Sequence, residues 1–318
     1  MLRALLIYNP NAGRFPPAEA AHRTAGLLRS RGWEIDVAAT RDAGHVSDLA
    51  ARAAADGLDA LIVAGGDGSV GRAVRGLVDT RTALGVLPTG TANVWARELG
   101  LPRIGPAGLS AVLGNAELMA DSRVRDVDIG ICNGEPFLLW VGIGLDALVV
   151  RGAERKRSHL KKLFVLPEYF IRALQSASTW PGTAVEVTGS NGETGRISFS
   201  GRIQFAVATN IPRYAGGYAR LSPGAIVDDG VMDLWIFRGR GAAAALRNAW
   251  NLFRGAHVYD RDTVRLPFER IAVATEKPAP LHRDGEAVPE ATRIEIVVCK
   301  HILRVLTPPA AGRLFSGG

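Results

Sequence analysis

Cysteine is nearly absent. The 318-residue chain has two, Cys132 and Cys299, which excludes a disulfide framework and a Cys-rich zinc module. Long apolar runs are absent too. A membrane-spanning helix needs roughly 18 apolar residues in a row, and the most apolar stretch, Phe137 to Val150, is shorter and carries Asp146 and glycines. The opening run Leu2 to Tyr8 stops at Asn9-Pro10, so no signal-peptide pattern is read there. A cytoplasmic protein is expected, peripheral at the inner membrane face if it meets lipid. Neither standard nucleotide fingerprint occurs: there is no G-x-x-x-x-G-K-[ST], and no G-x-G-x-x-G follows the first strand, which argues against a P-loop NTPase and a dinucleotide oxidoreductase. His22, His45, His159, His257, His282 and His301 have no metal-ligand spacing, and no repeat or low-complexity tract is found.

What remains is a globular composition, 47% hydrophobic and 22% charged, in a chain whose length suits two domains. Lysine and arginine exceed aspartate and glutamate by 38 to 31, a net charge of +7, which favours an anionic partner. In the first third, apolar strands at Ala4–Tyr8, Ile35–Ala39, Ala60–Ala64 and Leu84–Leu87 alternate with helical patterns at Ala18–Arg31, His45–Ala55, Ser69–Val78 and Thr91–Leu99. That alternation predicts a parallel sheet covered on both faces, with ligands beyond the carboxyl ends of its strands. After about residue 124 the pattern turns β-rich. Strands are predicted at Arg125–Ile131, Pro136–Ile143, Ala184–Thr188, Arg196–Ser200, Ile203–Ala208, Val231–Phe237, Thr263–Leu266, Ile271–Ala274 and Arg293–Val298, with helical insertions at Asp146–Ala177 and Gly241–Phe253. Short strands separated by turn signals indicate a sandwich or barrel.

Three polar turns follow strands of the first domain: Asn9-Pro10-Asn11-Ala12-Gly13, Gly65-Gly66-Asp67-Gly68-Ser69 and Pro88-Thr89-Gly90-Thr91-Ala92-Asn93. All three fall at one edge of a parallel sheet. Glycine allows close backbone approach, and N–H groups at a helix start bind phosphate. Asp67 suits Mg²⁺, and Thr91 suits a helix cap that also contacts phosphate. Each turn alone is also an ordinary strand–helix connection, with Ser69 or Thr91 as a cap; three in register favour a phosphate site.

These three loops, with Asp228-Asp229-Gly230-Val231-Met232-Asp233 and Arg283-Asp284-Gly285-Glu286, resemble the signature motifs of the diacylglycerol kinase catalytic-domain family, which includes soluble bacterial lipid kinases and the sphingosine and ceramide kinases. The likeness runs over nearly the whole chain, in the family's order. It implies an N-terminal α/β ATP-binding domain over 1–124, similar to NAD kinases and phosphofructokinases. It further implies a C-terminal β-sandwich over 125–301 carrying lipid-site residues, with the helical insertion at about 146–177, and an end segment, 302–318, that packs back on the first domain. The implied cofactors are ATP and Mg²⁺, and the implied activity is transfer of the γ-phosphate to a hydroxyl of a diacylglycerol, sphingoid or related lipid.

Phosphoryl transfer needs positioned phosphates, Mg²⁺ and a base near the accepting hydroxyl. By resemblance, Asn9, Pro10, Asn11, Ala12, Gly13, Thr40, the segment Gly65, Gly66, Asp67, Gly68, Ser69 to Arg72, and then Thr91 and Asn93 bind ATP. Asp67 organises the Mg²⁺–phosphate network, and Glu286 takes the lipid hydroxyl proton, with Asp284 as its rival. Read on its own, Asp284-Gly285 is a favoured hairpin pair; a hairpin tip also projects a carboxylate well into a cleft. The Asp228-Asp229-Gly230 turn implies a second, structural Mg²⁺ held by Asp229 and by the backbone carbonyls of Val231 and Ile226, or else a plain turn.

Many bacterial members of the family read G-T-x-N-D, whereas Val94 follows Asn93 here. An acidic group that supports the Mg²⁺ network is therefore absent, which weakens diacylglycerol as the acceptor. Residues 151–162 hold six Lys/Arg and one Glu, followed by an apolar and aromatic run to Ile171. Segment 151–171 suits peripheral contact with an anionic membrane, although a solvated helix with a core-facing stripe has the same pattern. Nucleic acid is not an expected partner, because no recognised motif accompanies the charge, and the oligomeric state is not legible. Two other functions fit parts of the pattern: a soluble-substrate kinase of the NAD-kinase type, and a non-catalytic nucleotide- or membrane-binding protein suggested by Val94. The D-D-G and D-G-E turns argue against the first.

Overall fold

A computed structural model describes residues 1–11, 16–104, 108–154, 175, 177–192 and 195–317. The first half alternates as its periodicity predicts. Strand β1 (Arg3–Tyr8), helix α1 (Pro17–Ser30), β2 (Glu34–Ala39), α2 (Ala43–Ala55), β3 (Ala60–Gly65), α3 (Asp67–Leu77), β4 (Ala83–Pro88) and α4 (Val94–Glu98) follow in order. Helix α2 begins two residues before its apolar pattern because Asp42 caps it, accepting from the His45 N–H at 2.9 Å. Helix α5 (Leu109–Ala120) was not foreseen from sequence; its Gly108 start and its uniformly apolar run give no amphipathic contrast. Strands β2-β1-β3-β4 are parallel neighbours. Helices α1 and α5 cover one face through Ala21, Leu28, Val112 and Met119. Helices α2 and α3 cover the other through Leu49, Ala53, Val70 and Val74.

The second half comprises β5 (Arg123–Cys132), β6 (Glu135–Phe137), β7 (Trp140–Gly144), α6 (Leu145–Glu154), β8 (Thr183–Asn191), β9 (Gly195–Ile203), β10 (Phe205–Thr209), the short pair β11 (Arg213–Tyr214) and β12 (Ala219–Arg220), β13 (Met232–Phe237), α7 (Gly241–Arg254), β14 (Thr263–Phe268), β15 (Arg270–Arg283) and β16 (Glu286–Thr307). Its strands pair antiparallel and enclose an apolar core of Phe137, Val141, Ile143, Val187, Leu234, Ile271 and Ile296. The strand predicted over Pro136–Ile143 is two strands. It breaks at Leu138-Leu139, whose N–H groups leave the ladder to bind the Asp284 carboxylate. Strands β15 and β16 are far longer than their apolar runs. The prolines at 278, 280 and 289 suggest breaks, but register shifts between Ala274 and Leu281 absorb the irregularity.

Strand β16 links the halves. Its first part pairs with β15, its last part with β5, and Val305 pairs parallel with Leu84 of β4. The 14-stranded sheet is thus continuous, from β14 through β7, β15 and β16 to β2. After β16, a 3-10 turn at Pro309–Leu314 brings Leu314 and Phe315 into the same core as Leu99 and Val94.

Candidate active site

The carboxyl ends of β1 to β4 lie side by side, since Tyr8 pairs with Ala39 and Ala64, and Gly65 pairs with Pro88. Asn9, Thr40, Gly66 and Thr89 therefore leave the sheet at one edge. The Asn9 side chain accepts from the Asn11 N–H at 2.9 Å, folding the first loop into a compact turn around Pro10. Ala12 and Gly13 lie outside the described residues. Thr40 is buried, and its N–H donates to the Tyr8 carbonyl at 2.8 Å.

The two glycine loops meet backbone to backbone. The Thr89 N–H donates to the Gly65 carbonyl at 3.1 Å. A Cβ on Gly90 would lie 2.5 Å from the Gly66 Cα, so only glycine fits there. Asn93, in the left-handed region at φ 48°, holds the third loop: its Oδ1 accepts from the Gly90 N–H at 3.0 Å and its Nδ2 donates to the Gly90 carbonyl at 2.9 Å. Helix α4 starts after Asn93 rather than at the predicted Thr91, which is exposed in the turn. Asn93→Ala removes both bonds and a residue type suited to this backbone, and is expected to cost about 1–2 kcal/mol of stability. A urea midpoint equal to the parent's would show that the loop is held otherwise.

Helix α3 starts at Asp67, with Gly66 before it and no side-chain cap. The Ser69 N–H donates to the Gly66 carbonyl at 2.9 Å; a helix start without a side-chain cap is the arrangement that suits an anion. Ser69 sits inside the first turn, against Gly65. Asp67 Oδ1 accepts from the Trp95 N–H at 3.1 Å. Burial pushes its carboxyl above the usual range, opposed by the Val94 and Trp95 N–H groups. Val94 itself is buried in the core.

The Asp284-Gly285 turn joins β15 to β16 with φ of 48° and 80°, the backbone of a two-residue hairpin. Its tip sits over α3: a Cβ on Gly71 would lie 3.3 Å from Asp284 Oδ2, and one on Gly68 would lie 3.6 Å from Glu286 Oε1. The two carboxylates have different surroundings. Asp284 Oδ2 accepts from the Leu138 N–H at 3.0 Å, and Oδ1 from Leu139 at 2.8 Å and Trp140 at 3.1 Å. Burial pushes its carboxyl up, and these three donors oppose the shift. Both oxygens are engaged, so Asp284 is a positioning residue for the turn rather than a free proton acceptor. Glu286 faces the cleft and receives a hydrogen bond from Arg72, with Arg75 Nη2 at 3.9 Å from its other oxygen. Arg72, Arg75, Arg283, Pro136 and Glu286 line a small cleft there. Arg75 and Arg283 also approach Glu135, at 3.9 and 3.6 Å. Neither Arg75 nor Arg283 was foreseen as part of this cluster; the one-turn spacing of Arg72 and Arg75 on α3 is the signal that would have found Arg75. Also unforeseen is the β11–β12 hairpin. Its Gly216 and Gly217 carbonyls accept from Arg97 at 3.2 and 2.8 Å, and Gly216 abuts Ala92 of the third loop.

The Asp228-Asp229-Gly230 turn lies elsewhere, beside β5 and the end of β16. Asp229 Oδ1 accepts from the Val231 N–H at 2.9 Å, and the Gly230 N–H donates to Asp128 at 2.6 Å. Partial burial, then the charges of Asp128, Asp233 and Asp228, push the Asp229 carboxyl up. Among the described residues no group of three or more His, Cys, Asp or Glu side chains is arranged to hold a metal. The ligand set inferred by resemblance is of another kind, one carboxylate with two main-chain carbonyls, from Val231 and Ile226. A nucleophilic cysteine finds no support: burial pushes the Cys132 thiol up to about 11.

The family model described as the diacylglycerol kinase catalytic domain matches residues 3–132, and that of the YegS C-terminal NAD kinase beta sandwich-like domain matches residues 140–307. A diacylglycerol kinase of Bacillus subtilis (strain 168) is 31% identical over 289 residues, 90% of each chain. The chain belongs to the diacylglycerol kinase catalytic-domain family. It is a kinase, with the N-terminal α/β domain and the C-terminal sandwich-like domain of that family. A crystal structure from Bacillus anthracis str. Sterne has the same fold, with a TM-score of 0.76 at 23% identity over 97% of this chain and 98% of that one. An NAD kinase from Archaeoglobus fulgidus, in complex with ATP, shares the broader architecture at a TM-score of 0.51 and 14% identity, over 98% and 96% of the two chains. The second and third loops touch at Gly66 and Gly90, the D-G-E turn sits over the start of α3, and the D-D-G turn stands apart.

Proposed function

We propose that this kinase transfers the γ-phosphoryl group of ATP to a hydroxyl of a diacylglycerol, sphingoid or related lipid. The observation that carries the reading is the approach of Glu286 to the uncapped start of α3, beside the joined glycine loops. The residues present fit the nucleotide. The two glycine loops pack backbone to backbone beside the start of α3, which has no side-chain cap, and such a helix start suits phosphate. Asn9, Asn11, Thr40, Gly65 to Ser69, Thr91 and Asn93 would hold it. They fit Mg²⁺ too: Asp67 has one oxygen on the Trp95 N–H and offers a hard oxygen ligand beside the helix start. At the second site, Asp229 lies among like charges that a cation would offset. Bound Mg²⁺ neutralises phosphate charge as it shifts toward the leaving oxygen.

The chain's own residues divide the remaining work. The start of α3 orients the phosphates. Glu286 Oε accepts the proton of the acceptor hydroxyl, while Arg72 and Arg75 hold that carboxylate over the cleft and add positive charge where negative charge develops. Asp284 fixes the turn from which Glu286 projects. Val94 is packed in the core where many relatives have aspartate, so Asp67 of the second loop carries the acidic role alone.

The test is incubation with γ-labelled ATP, Mg²⁺ and a panel of lipid hydroxyl acceptors alongside NAD, with products identified by mass spectrometry. A phosphorylated lipid is expected. Transfer to NAD alone would make this a soluble-substrate kinase. Binding of ATP without transfer to any acceptor, with turnover restored by Val94→Asp, would make it a nucleotide-binding relative that has lost catalysis.

A further inference from the structure

Helix α7 is barely anchored for its size. Of its fourteen residues only Asn248 and Leu252 are buried. Asn248 Nδ2 donates to Gln204 Oε1 at 2.9 Å and to the Arg238 carbonyl at 3.0 Å, and Leu252 enters the large core shared with Leu221 and Phe237. The opposite face is apolar. Leu246, Trp250 and Phe253 recur at helical spacing, 41%, 63% and 48% exposed, and with Ala249 they line one open depression. Val258 and Tyr259 extend the exposed edge into the next turn. A helix settled on its own domain turns such residues inward.

The charge around this face has one sign. The helix has no acidic residue, and from Arg238 to Arg265 the chain holds six arginines against two aspartates. Arg247 pairs with Asp262 and Arg265 with Asp233. Among the described residues Arg240 and Arg254 make no ion pair; Arg254 lies over the Trp250 ring at 5.5 Å. Exposed tryptophan, phenylalanine and leucine beside Arg247 and Arg254 complement an anionic bilayer surface: rings and aliphatics enter the headgroup boundary while guanidinium groups stay at the phosphates. The helix packs against β12, and a Cβ on Gly216 of that hairpin would come 3.9 Å from Ala92 of the third loop.

We infer that the Leu246–Trp250–Phe253 face of α7 docks this kinase on the surface of an anionic membrane, where a lipid acceptor lies. The inference rests on the lipid-kinase reading for its purpose, but not for its test. Segment 151–171, where the sequence suggested membrane contact, lies almost wholly outside the described residues, and this face is distinct from it.

The experiment is flotation of the full chain with vesicles of phosphatidylcholine, with and without 30% phosphatidylglycerol by design (an order-of-magnitude choice that gives a clear surface potential). Leu246→Glu/Trp250→Glu/Phe253→Glu is expected to lower binding to the anionic vesicles about tenfold or more, and Arg240→Glu/Arg254→Glu to lower it several-fold. These side chains are exposed, so thermal melts should stay close to the parent's. Emission should shift to the blue on binding through Trp250, because Trp33, Trp95, Trp140 and Trp235 are already buried and Trp180 is half-buried with its Nε1 on the Gln204 carbonyl. Unchanged binding by the triple variant would overturn the inference. So would self-association of the parent that the triple variant abolishes, which would assign the face to a second copy of the chain. Kinase assay on a short-chain acceptor dispersed in solution separates the two claims. Transfer that survives in the triple variant while vesicle binding falls supports both. Vesicle binding with no transfer from the parent to any acceptor retires the kinase reading and leaves the docking face standing.

Discussion

Glu286→Gln lowers phosphoryl transfer by about two to four orders of magnitude, the range associated with loss of a general base, while ATP binding stays near that of the parent. The substitution keeps the shape of the side chain and a hydrogen-bonding oxygen for Arg72, so the cleft keeps its form. What it removes is the capacity to take a proton at a carboxylate held beside α3. Steady-state kinetics should show the loss in kcat with little change in KM for ATP, because the interaction belongs to the transition state. A fully active glutamine variant would take Glu286 out of the proton-accepting role. The same assay on Asp284→Asn would then decide whether its rival carries that role despite having both oxygens engaged.

Asp284→Ala acts on stability as much as on turnover. The carboxylate accepts from three successive N–H groups, and Leu138, Leu139 and Trp140 are all buried. Leaving three buried donors without a partner costs about 1–3 kcal/mol each. A further contribution, on the order of 1 kcal/mol, arises because alanine tolerates φ 48° poorly. The total is on the order of 4–10 kcal/mol, enough to lower Tm by about 6 °C or more in a chain of this size. Asp284→Asn keeps one carbonyl oxygen and is expected to fall between the variant and the parent. A melting temperature for Asp284→Ala equal to the parent's would show that water or a rearranged loop satisfies those donors. Activity should fall in the same variants, because Glu286 projects from the turn that Asp284 holds.

The parallel half was legible because β1, β3 and β4 are apolar runs closed by glycine or proline and helices α1 to α3 have an amphipathic period. The loops Asn9–Asn11, Gly65–Ser69 and Gly90–Asn93 were legible as turns at the strand ends because glycine, proline and asparagine punctuate the chain there. Less legible was what long-range pairing decides. The true lengths of β15 and β16 depend on register across bulges, and the prolines within them suggest the opposite. The break between β6 and β7 is caused by a carboxylate some 140 residues away in sequence, which no local pattern encodes. For the same reason the sequence presented Asp284 and Glu286 as equivalent candidates, and the fold distinguishes them by their partners. Arg283 joins the cleft only because β15 returns beside Glu135. The exposed face of α7 shows the converse limit: its apolar period reads as core, and only the folded chain reveals that no core lies against it.

Strand β16 begins at Glu286 and ends by pairing with the parallel sheet through Val305 and Leu84. Aim and attachment are therefore properties of one ladder. A slip of a single residue between β15 and β16 would turn the Glu286 side chain to the far side of the sheet, and the same slip would displace the strand that closes the nucleotide-binding half. The irregular pairing between Ala274 and Leu281 sets that alignment for the whole length of the ribbon. Whether the Glu286 carboxylate points at the cleft is thus fixed far from the cleft, by how two strands count past one another.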